Sequence, residues 1–380
     1  MAETAGSAAR GLDGVVAART RLSHVDGQAG ALIIGGYELG ELAGRVTFEE
    51  AAHLLWMGAL PGREKLVALR AEMAALRKVP ESTMQVIRFA RGAPPIDALR
   101  MACATLSLNL AEEGEISPEA DLARARILTA RFPTLVAAHA RIAAGKEPVA
   151  PRPDLGHAAN FLYMVHGTEP DPVAARALDT YWVTVIDHGM NASTFTARVI
   201  ASTRSDLVSA VTGAVGALKG PLHGGAPGPV LDMLQVIGSA ANAEAWLRKE
   251  LAAGRRIMGF GHRVYKVRDP RAEVLSRVAE EMSNAVLHDR KLFDLARAVE
   301  QTALRVLEEH KPGRNLRTNV EFYTALVLQS LGLKPRGFVA MFACGRVAGW
   351  CAHVIEQHAE DRLIRPQSEY IGPKGLKLAT

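Results

Sequence analysis

The chain has little cysteine, almost no strand-like alternation and none of the common nucleotide or hydrolase motifs. Each shortage excludes something. Three cysteines in 380 residues (Cys103, Cys344 and Cys351) are too few for a disulfide framework and show no C-x-x-C spacing. A reducing, cytoplasmic setting is expected. There is no G-x-x-x-x-G-K-[ST], H-E-x-x-H or G-x-S-x-G, and "GFGHRV" (259–264) lacks the third glycine of a dinucleotide fingerprint. No close His/Asp/Glu pairing has metal-ligand spacing, so no metal site is expected. The N-terminus lacks the apolar h-region of a secretory signal. The basic excess, a net charge of +5, is not gathered into a dense run, so no nucleic-acid partner is expected. The most apolar stretch, "FVAMFACGRVAGWCAHVI" (338–355), carries Arg346 at its middle, where a bilayer would make a charge costly. It reads as a buried helix of a soluble protein, with no membrane partner.

Helical punctuation is abundant. Thr47 and Glu50 form a T-x-x-E capping box before "EEAAHLLWMG", which Gly58 and Pro61 close. In "REKLVALRAEMAALRKVP", Leu66, Leu69, Met73 and Leu76 share one helical face. Ser117-Pro118, Asp171-Pro172 and Asp269-Pro270 each read as an N-cap followed by proline at the first helical position. Phe132-Pro133 is expected to break a long Ala/Arg-rich stretch in two. Segments 193–204, 206–218, 242–253, 271–287, 289–309, 321–331 and 337–358 also read as helices. "ALIIGGY" (31–37) is the best strand candidate. The expected class is mainly α, with no internal repeat and no low-complexity linker. From Gly220 to Pro229, seven of ten residues are glycine or proline, so regular structure is expected to stop there. That run is the prime candidate for a domain joint.

Three histidines stand beside glycines: His188 in "IDHGMNAST", His223 in "GPLHGGA" and His262 in "GFGHRVY". Singly, each reads as an ordinary interior or loop histidine; as a set they suggest a site. Gly259 and Gly261 are expected to leave room for a ligand beside His262. Arg346, inside an apolar helix, needs an acidic side chain or an anionic ligand. Arg271 and Arg365 sit near element ends, where the residues alone favour a solvated surface charge. Paired guanidinium–carboxylate contacts are nevertheless the natural way to hold a di- or tricarboxylic acid. Glu321 opens an amphipathic-looking helix, "NVEFYTA", where a carboxylate suits the positive end.

"DHGMNASTFTAR", "GALKGPLHGGA", "GFGHRVYKVRDPRAE", "NVEFYTALVLQSLG", "FACGRVAGWCAHVIEQ" and "RPQSEYIG", in that order, resemble the citrate synthase family. The opening "GLDGVVAARTRLSHVDGQAGALIIGGYELGELA" is similar as well, so the likeness runs from about residue 11 to residue 372. The length resembles the short, dimeric members, which include 2-methylcitrate synthases. The resemblance implies a large helical domain (1–222 and 336–380), a small one (223–335) and an active-site cleft between them. It implies a homodimeric acyltransferase that condenses acetyl-CoA with oxaloacetate and hydrolyses the thioester, the acyl group becoming alkyl on transfer. No permanently bound cofactor is implied. By position in the family's motifs, His223 would stabilise the enolate of acetyl-CoA, His262 would donate to the oxaloacetate ketone, and Glu321 would be the base. His188, Arg271 and Arg346 would hold oxaloacetate, with Arg365 reaching in from the partner subunit. Arg263, Lys266, Lys311 and Arg314 would meet the coenzyme A phosphates.

Some positions depart from the family pattern. Its base is an aspartate, where Glu321 is one methylene longer. Pro227-Gly228 stand where Asn-Glu is usual, Gly35 where arginine is usual and Ala93 where histidine is usual. Propionyl-CoA remains an alternative acyl donor, because one methylene discriminates by only ~1–3 kcal/mol. A catalytically weak oxaloacetate- or CoA-binding homologue is the alternative that Glu321 motivates.

Overall fold

A computed structural model describes residues 10–12, 14–109, 116–224, 227–287 and 289–378. A short antiparallel meander opens the fold: β1 (Ser23–Asp26), β2 (Ala31–Ile34) and β3 (Tyr37–Glu38), with Ser23 opposite Ile34 and Ile34 opposite Tyr37. Helices follow: α1 (Leu39–Leu42), α2 (Phe48–Met57), α3 (Arg63–Leu76), α4 (Glu81–Phe89), α5 (Pro95–Thr105) and α6 (Pro118–Ala143). Next come α7 (His157–His166), α8 (Pro172–Val185), α9 (Ala192–Ala201), α10 (Leu207–Leu218) and α11 (Pro227–Ile237). The last are α12 (Ala243–Ala252), α13 (Pro270–Ala285), α14 (Lys291–His310), α15 (Val320–Ser330) and α16 (Phe338–Glu360). The class is mainly α, as the helical punctuation predicts.

The expected caps are in place. Glu50 Oε2 accepts the Thr47 backbone N–H at 2.8 Å, and Gly58 ends α2 in the left-handed conformation. Ser117 Oγ accepts from Ala120 N at 3.1 Å, Asp171 Oδ1 from Val173 N at 2.7 Å and Asp269 Oδ1 from Arg271 N at 3.0 Å. In each case proline takes the first helical position, where its missing N–H removes no intrahelical bond.

Several expectations fail. Pro133 does not divide its segment, because α6 runs unbroken through it. Every residue from Phe132 to His139 is buried, and α6 packs against α16, α7 and α5. A proline inside a helix costs about 3 kcal/mol, a penalty that burial of several apolar side chains offsets. Nor is α15 amphipathic: apart from Glu321, every residue from Val320 to Leu328 is buried. The glycine- and proline-rich joint is a set of turns from Gly220 to Gly224, and its end already forms the first turn of α11 from Pro227. Gly225 and Ala226, in the middle of the expected hinge, lie outside the described residues.

The core centres on α16, which packs against α2, α6, α8, α9 and α10. It is long and apolar enough to cross a membrane by length and composition, but it is buried inside the fold. The three cysteines are buried and free. A second packing group joins α12 to α14 and α13 to α15, and α13 also touches α8. Where these groups meet, the middle of α16, the loops 186–191 and 259–269 and the start of α15 face one another.

Candidate active site

Two buried arginines form one wall, and they differ in a way that matters. Arg271, on the first turn of α13, is paired with Asp269: Nε lies 3.0 Å from Oδ1 and Nη2 lies 2.7 Å from Oδ2. Burial opposes its charge most strongly, but Asp269, helped by Tyr265 and Glu321, leaves its pKa raised. This corrects the expectation of a solvated charge, since only 3% of Arg271 is exposed. Arg346, on α16, has no such carboxylate. Its Nε donates to the Val185 carbonyl and its guanidinium lies 4.7 Å from the Phe342 ring centroid. Its Nη2 is buried without a hydrogen-bond partner. Burial pushes its pKa down to about 10, against the pull of Asp187. A buried, unpaired guanidinium is costly unless an anion completes it.

Two of the three histidines are held in defined tautomers. His262 Nδ1 receives the backbone N–H groups of Val264 (3.0 Å) and Tyr265 (3.1 Å), so its ring proton is on Nε2. That Nε2 lies 3.4 Å from Arg271 Nη2. Two donors cannot bond to each other, and both are free to serve one acceptor oxygen. His223 Nε2 lies 2.8 Å from Ser193 Oγ, and the Ser193 backbone N–H points at it from 3.4 Å. This makes Nε2 the acceptor and leaves the His223 proton on Nδ1. Burial, then Arg346, lowers the His223 pKa to about 4; burial, then Arg271, does the same to His262. Both rings are therefore neutral donors at pH 7. His188 lies between α8 and α9, its Nε2 3.2 Å from the Tyr265 hydroxyl and its ring 5.6 Å from that of His262. Burial, then Arg271 and Arg346, holds its pKa well below the usual value.

Glu321 is the second residue of α15 and half-buried. Asn319 caps the helix: its Oδ1 accepts Glu321 N at 3.1 Å and its Nδ2 donates to Gly261 O at 2.9 Å. The cap thus ties the carboxylate to the segment that carries His262. Burial raises the Glu321 pKa to about 7, only partly opposed by Arg271. A carboxylate near its midpoint at neutral pH is suited to taking up a proton. The space beside Gly259 and Gly261 is not left for a ligand. A Cβ on Gly259 would lie 2.7 Å from Phe322 and one on Gly261 3.1 Å from Leu316, and both residues have φ above +80°.

His188, His262, Arg271, Arg346 and Glu321 are linked by these contacts and mutual fields, and His223 joins them through the charge of Arg346. Arg365 does not join them. It is exposed on a tail without regular secondary structure after α16. Arg263, Lys266, Lys311 and Arg314 are exposed on two loops that flank the paired segments 259–261 and 317–319. Lys266 lines a cavity of about 320 Å³ with Arg268 and Arg317, two basic residues not singled out in the sequence. Tyr265, Ser193, Asn319 and Asp269 also belong to the site without a sequence signal of their own, although each lies inside a motif that carries a histidine, arginine or glutamate of the site.

Fold and site define a helical enzyme in which an anion-seeking wall faces neutral proton donors and a carboxylate. The family model for the citrate synthase C-terminal domain matches residues 11–367. A citrate synthase of Haloferax volcanii is 41% identical over 98% of this chain and 97% of its own length. A 2-methylcitrate synthase of Mycobacterium tuberculosis is 37% identical over 96% and 90%. The structure resembles that of the Thermoplasma acidophilum citrate synthase in ternary complex with carboxymethyl coenzyme A and oxaloacetate, with a TM-score of 0.90 and 30% identity over 98% of both chains. The chain belongs to the citrate synthase family.

Proposed function

We propose that the protein condenses acetyl-CoA with oxaloacetate and hydrolyses the resulting thioester to citrate and CoA. The carrying observation is the buried, partnerless Nη2 of Arg346, which feels the charge of Arg271, whose own Nη2 lies 3.4 Å from the His262 Nε2–H. That arrangement suits a small dicarboxylate with a ketone. Arg271 and Arg346 hold the carboxylates, with His188, and His262 donates to the ketone oxygen. Glu321 removes a methyl proton from acetyl-CoA while the His223 Nδ1–H stabilises the oxygen of the forming enolate. The enolate carbon attacks the ketone carbon, and the alkoxide takes the His262 proton. Water then cleaves the thioester, releasing CoA. Losing one preorganised oxyanion donor typically costs ~10²–10³ in rate, so the two fixed tautomers matter. In this reading Arg263, Lys266, Lys311 and Arg314 meet the CoA phosphates.

The division into a large domain (1–222 and 336–380) and a small one (223–335) fits the two packing groups and puts His223 on the joint. A homodimer is supported by the tail after α16, which carries Arg365 and leaves Leu363, Tyr370, Ile371, Leu376 and Leu378 exposed. Acetyl-CoA is preferred to propionyl-CoA because the curated relatives of higher identity are called citrate synthases. The test is oxaloacetate-dependent release of free CoA from acetyl-CoA and propionyl-CoA, side by side. Faster release from acetyl-CoA is expected. Release from neither at any oxaloacetate concentration would sink the reading.

A further inference from the structure

The hairpin β1–β2 touches both sides of the site. At its base, the Ser23 hydroxyl donates to Asp187 Oδ2 at 2.5 Å and accepts the Gly189 backbone N–H at 2.8 Å. These two residues flank His188. Asp187 is fully buried, and its carboxylate also meets His353 Nε2 at 3.1 Å. His353 Nδ1 lies 3.1 Å from Arg198 Nη1, and arginine can only donate. The His353 proton is therefore on Nε2, directed at Asp187. Asp187 thus has two donors, one from the helix that carries Arg346 and one from the hairpin.

At the other end of the hairpin, the Gly27 carbonyl accepts the Lys266 N–H at 2.8 Å. The contact leaves no space: a Cβ on Gly27 would lie 2.2 Å from the Val264 carbonyl oxygen. Val264 and Tyr265 are the residues whose N–H groups hold His262 Nδ1, and Tyr265 also meets His188. Leu22, Leu32 and Ile34, almost wholly buried, anchor the hairpin in the core.

We propose that Ser23 is a positioning residue for the oxaloacetate subsite, because it and its hairpin brace the His188 loop and the His262–Lys266 turn against each other. The inference rests on the reading above for the identity of the ligand. Ser23 itself lies behind Asp187 and Gly189 and acts through them. Removing its hydroxyl leaves the Gly189 N–H unpaired and takes one donor from a buried carboxylate. Losses of that kind correspond to about tenfold in binding.

The test uses Ser23→Ala, Ser23→Thr and Gly27→Ala in the full chain. Oxaloacetate binding is measured by calorimetry, which needs no turnover, alongside kcat and both KM values. Ser23→Ala and Gly27→Ala are expected to weaken oxaloacetate binding about tenfold. For Ser23→Ala, the KM for acetyl-CoA at saturating oxaloacetate should stay close to wild type. Ser23→Thr, which keeps the hydroxyl, should recover most of the affinity. A lowered melting temperature with unchanged oxaloacetate affinity would reduce Ser23 to a structural residue and overturn the proposal. Should Ser23→Ala fail to fold, Gly27→Ala carries the test, since it keeps every hydrogen-bonding side chain. An active wild type whose variants bind oxaloacetate equally well sinks the bracing role and leaves the condensation standing. A wild type that binds oxaloacetate but releases no CoA, with binding lost in Ser23→Ala, does the reverse.

Discussion

Ser193 Oγ lies 2.8 Å from His223 Nε2, and the indole N–H of Trp350 holds the same oxygen from 3.0 Å. His223, in a run of turns, thus takes its orientation from α9 and α16. Ser193→Ala removes the hydroxyl and strands a buried indole N–H, but the backbone N–H that selects the tautomer remains. A fall in kcat of about tenfold is expected, the order for one lost hydrogen-bonding partner. Oxaloacetate affinity, measured by calorimetry, should be unchanged. An equal loss in both would show that Ser193 supports the whole site rather than the ring.

Arg346 should report a conflict between stability and binding. Its partnerless Nη2 and lowered pKa mark an arginine whose burial is only partly offset. Arg346→Met keeps much of the volume and removes the charge. The ligand-free melting temperature is expected to rise, as replacement of buried ionic groups by apolar ones often stabilises. Protection by oxaloacetate against thermal unfolding should vanish at concentrations that stabilise wild type. A fall in the ligand-free melting temperature would mean that the Val185 and Phe342 contacts outweigh the desolvation cost.

The tail position of Arg365 makes a prediction about subunits. If Arg365 completes the partner's site, a heterodimer of Arg365→Ala and His223→Ala subunits contains one intact site. Purified heterodimers should then recover about half of wild-type activity per dimer, while each parent homodimer stays low. Heterodimers no more active than either parent would remove Arg365 from the shared site.

Much of this site was legible because its residues break local rules. Arg346 in an apolar helix and three histidines beside glycine stood out against their surroundings. The proline-led helix starts were legible because cap and proline act within one turn. Pro133 misled because the penalty is local and the compensation is not: the helices that bury α6 are distant in sequence. The starts of α4 and α5 are not legible in a cap, because Pro80 and Pro94 stand at their N-cap positions and offer no side-chain acceptor. Arg271 reads as solvated in the sequence although Asp269, its partner, stands two residues before it. In the sequence that carboxylate reads only as a helix cap, yet it holds both the cap N–H and the guanidinium. Ser23 and Asp187 were invisible because they act through each other across 164 residues.

Glu321 carries the last prediction. Its pKa is raised to about 7, chiefly by burial, whereas His223 and His262, at about 4, are already neutral above pH 5. As the base, Glu321 must be ionised. Log kcat/KM for acetyl-CoA should therefore climb with a slope near one as pH rises toward 7, then level off. Stability should move the other way. A carboxyl with a folded pKa above its unfolded value of 4.5 binds more protons in the folded state between those values. Its contribution is fully present below pH 4.5 and is lost as pH rises through about 7, a change of up to roughly 3 kcal/mol. Glu321→Gln removes the ionisation while nearly keeping the shape. It should melt higher than wild type at pH 8 and about equally at pH 4. Its turnover should fall by ~10²–10⁴ and oxaloacetate binding should change little. Glu321→Asp keeps a base but shortens its reach, so the acid limb should persist at a different height. A Glu321→Gln enzyme that releases CoA at the wild-type, oxaloacetate-dependent rate would exclude Glu321 as the base.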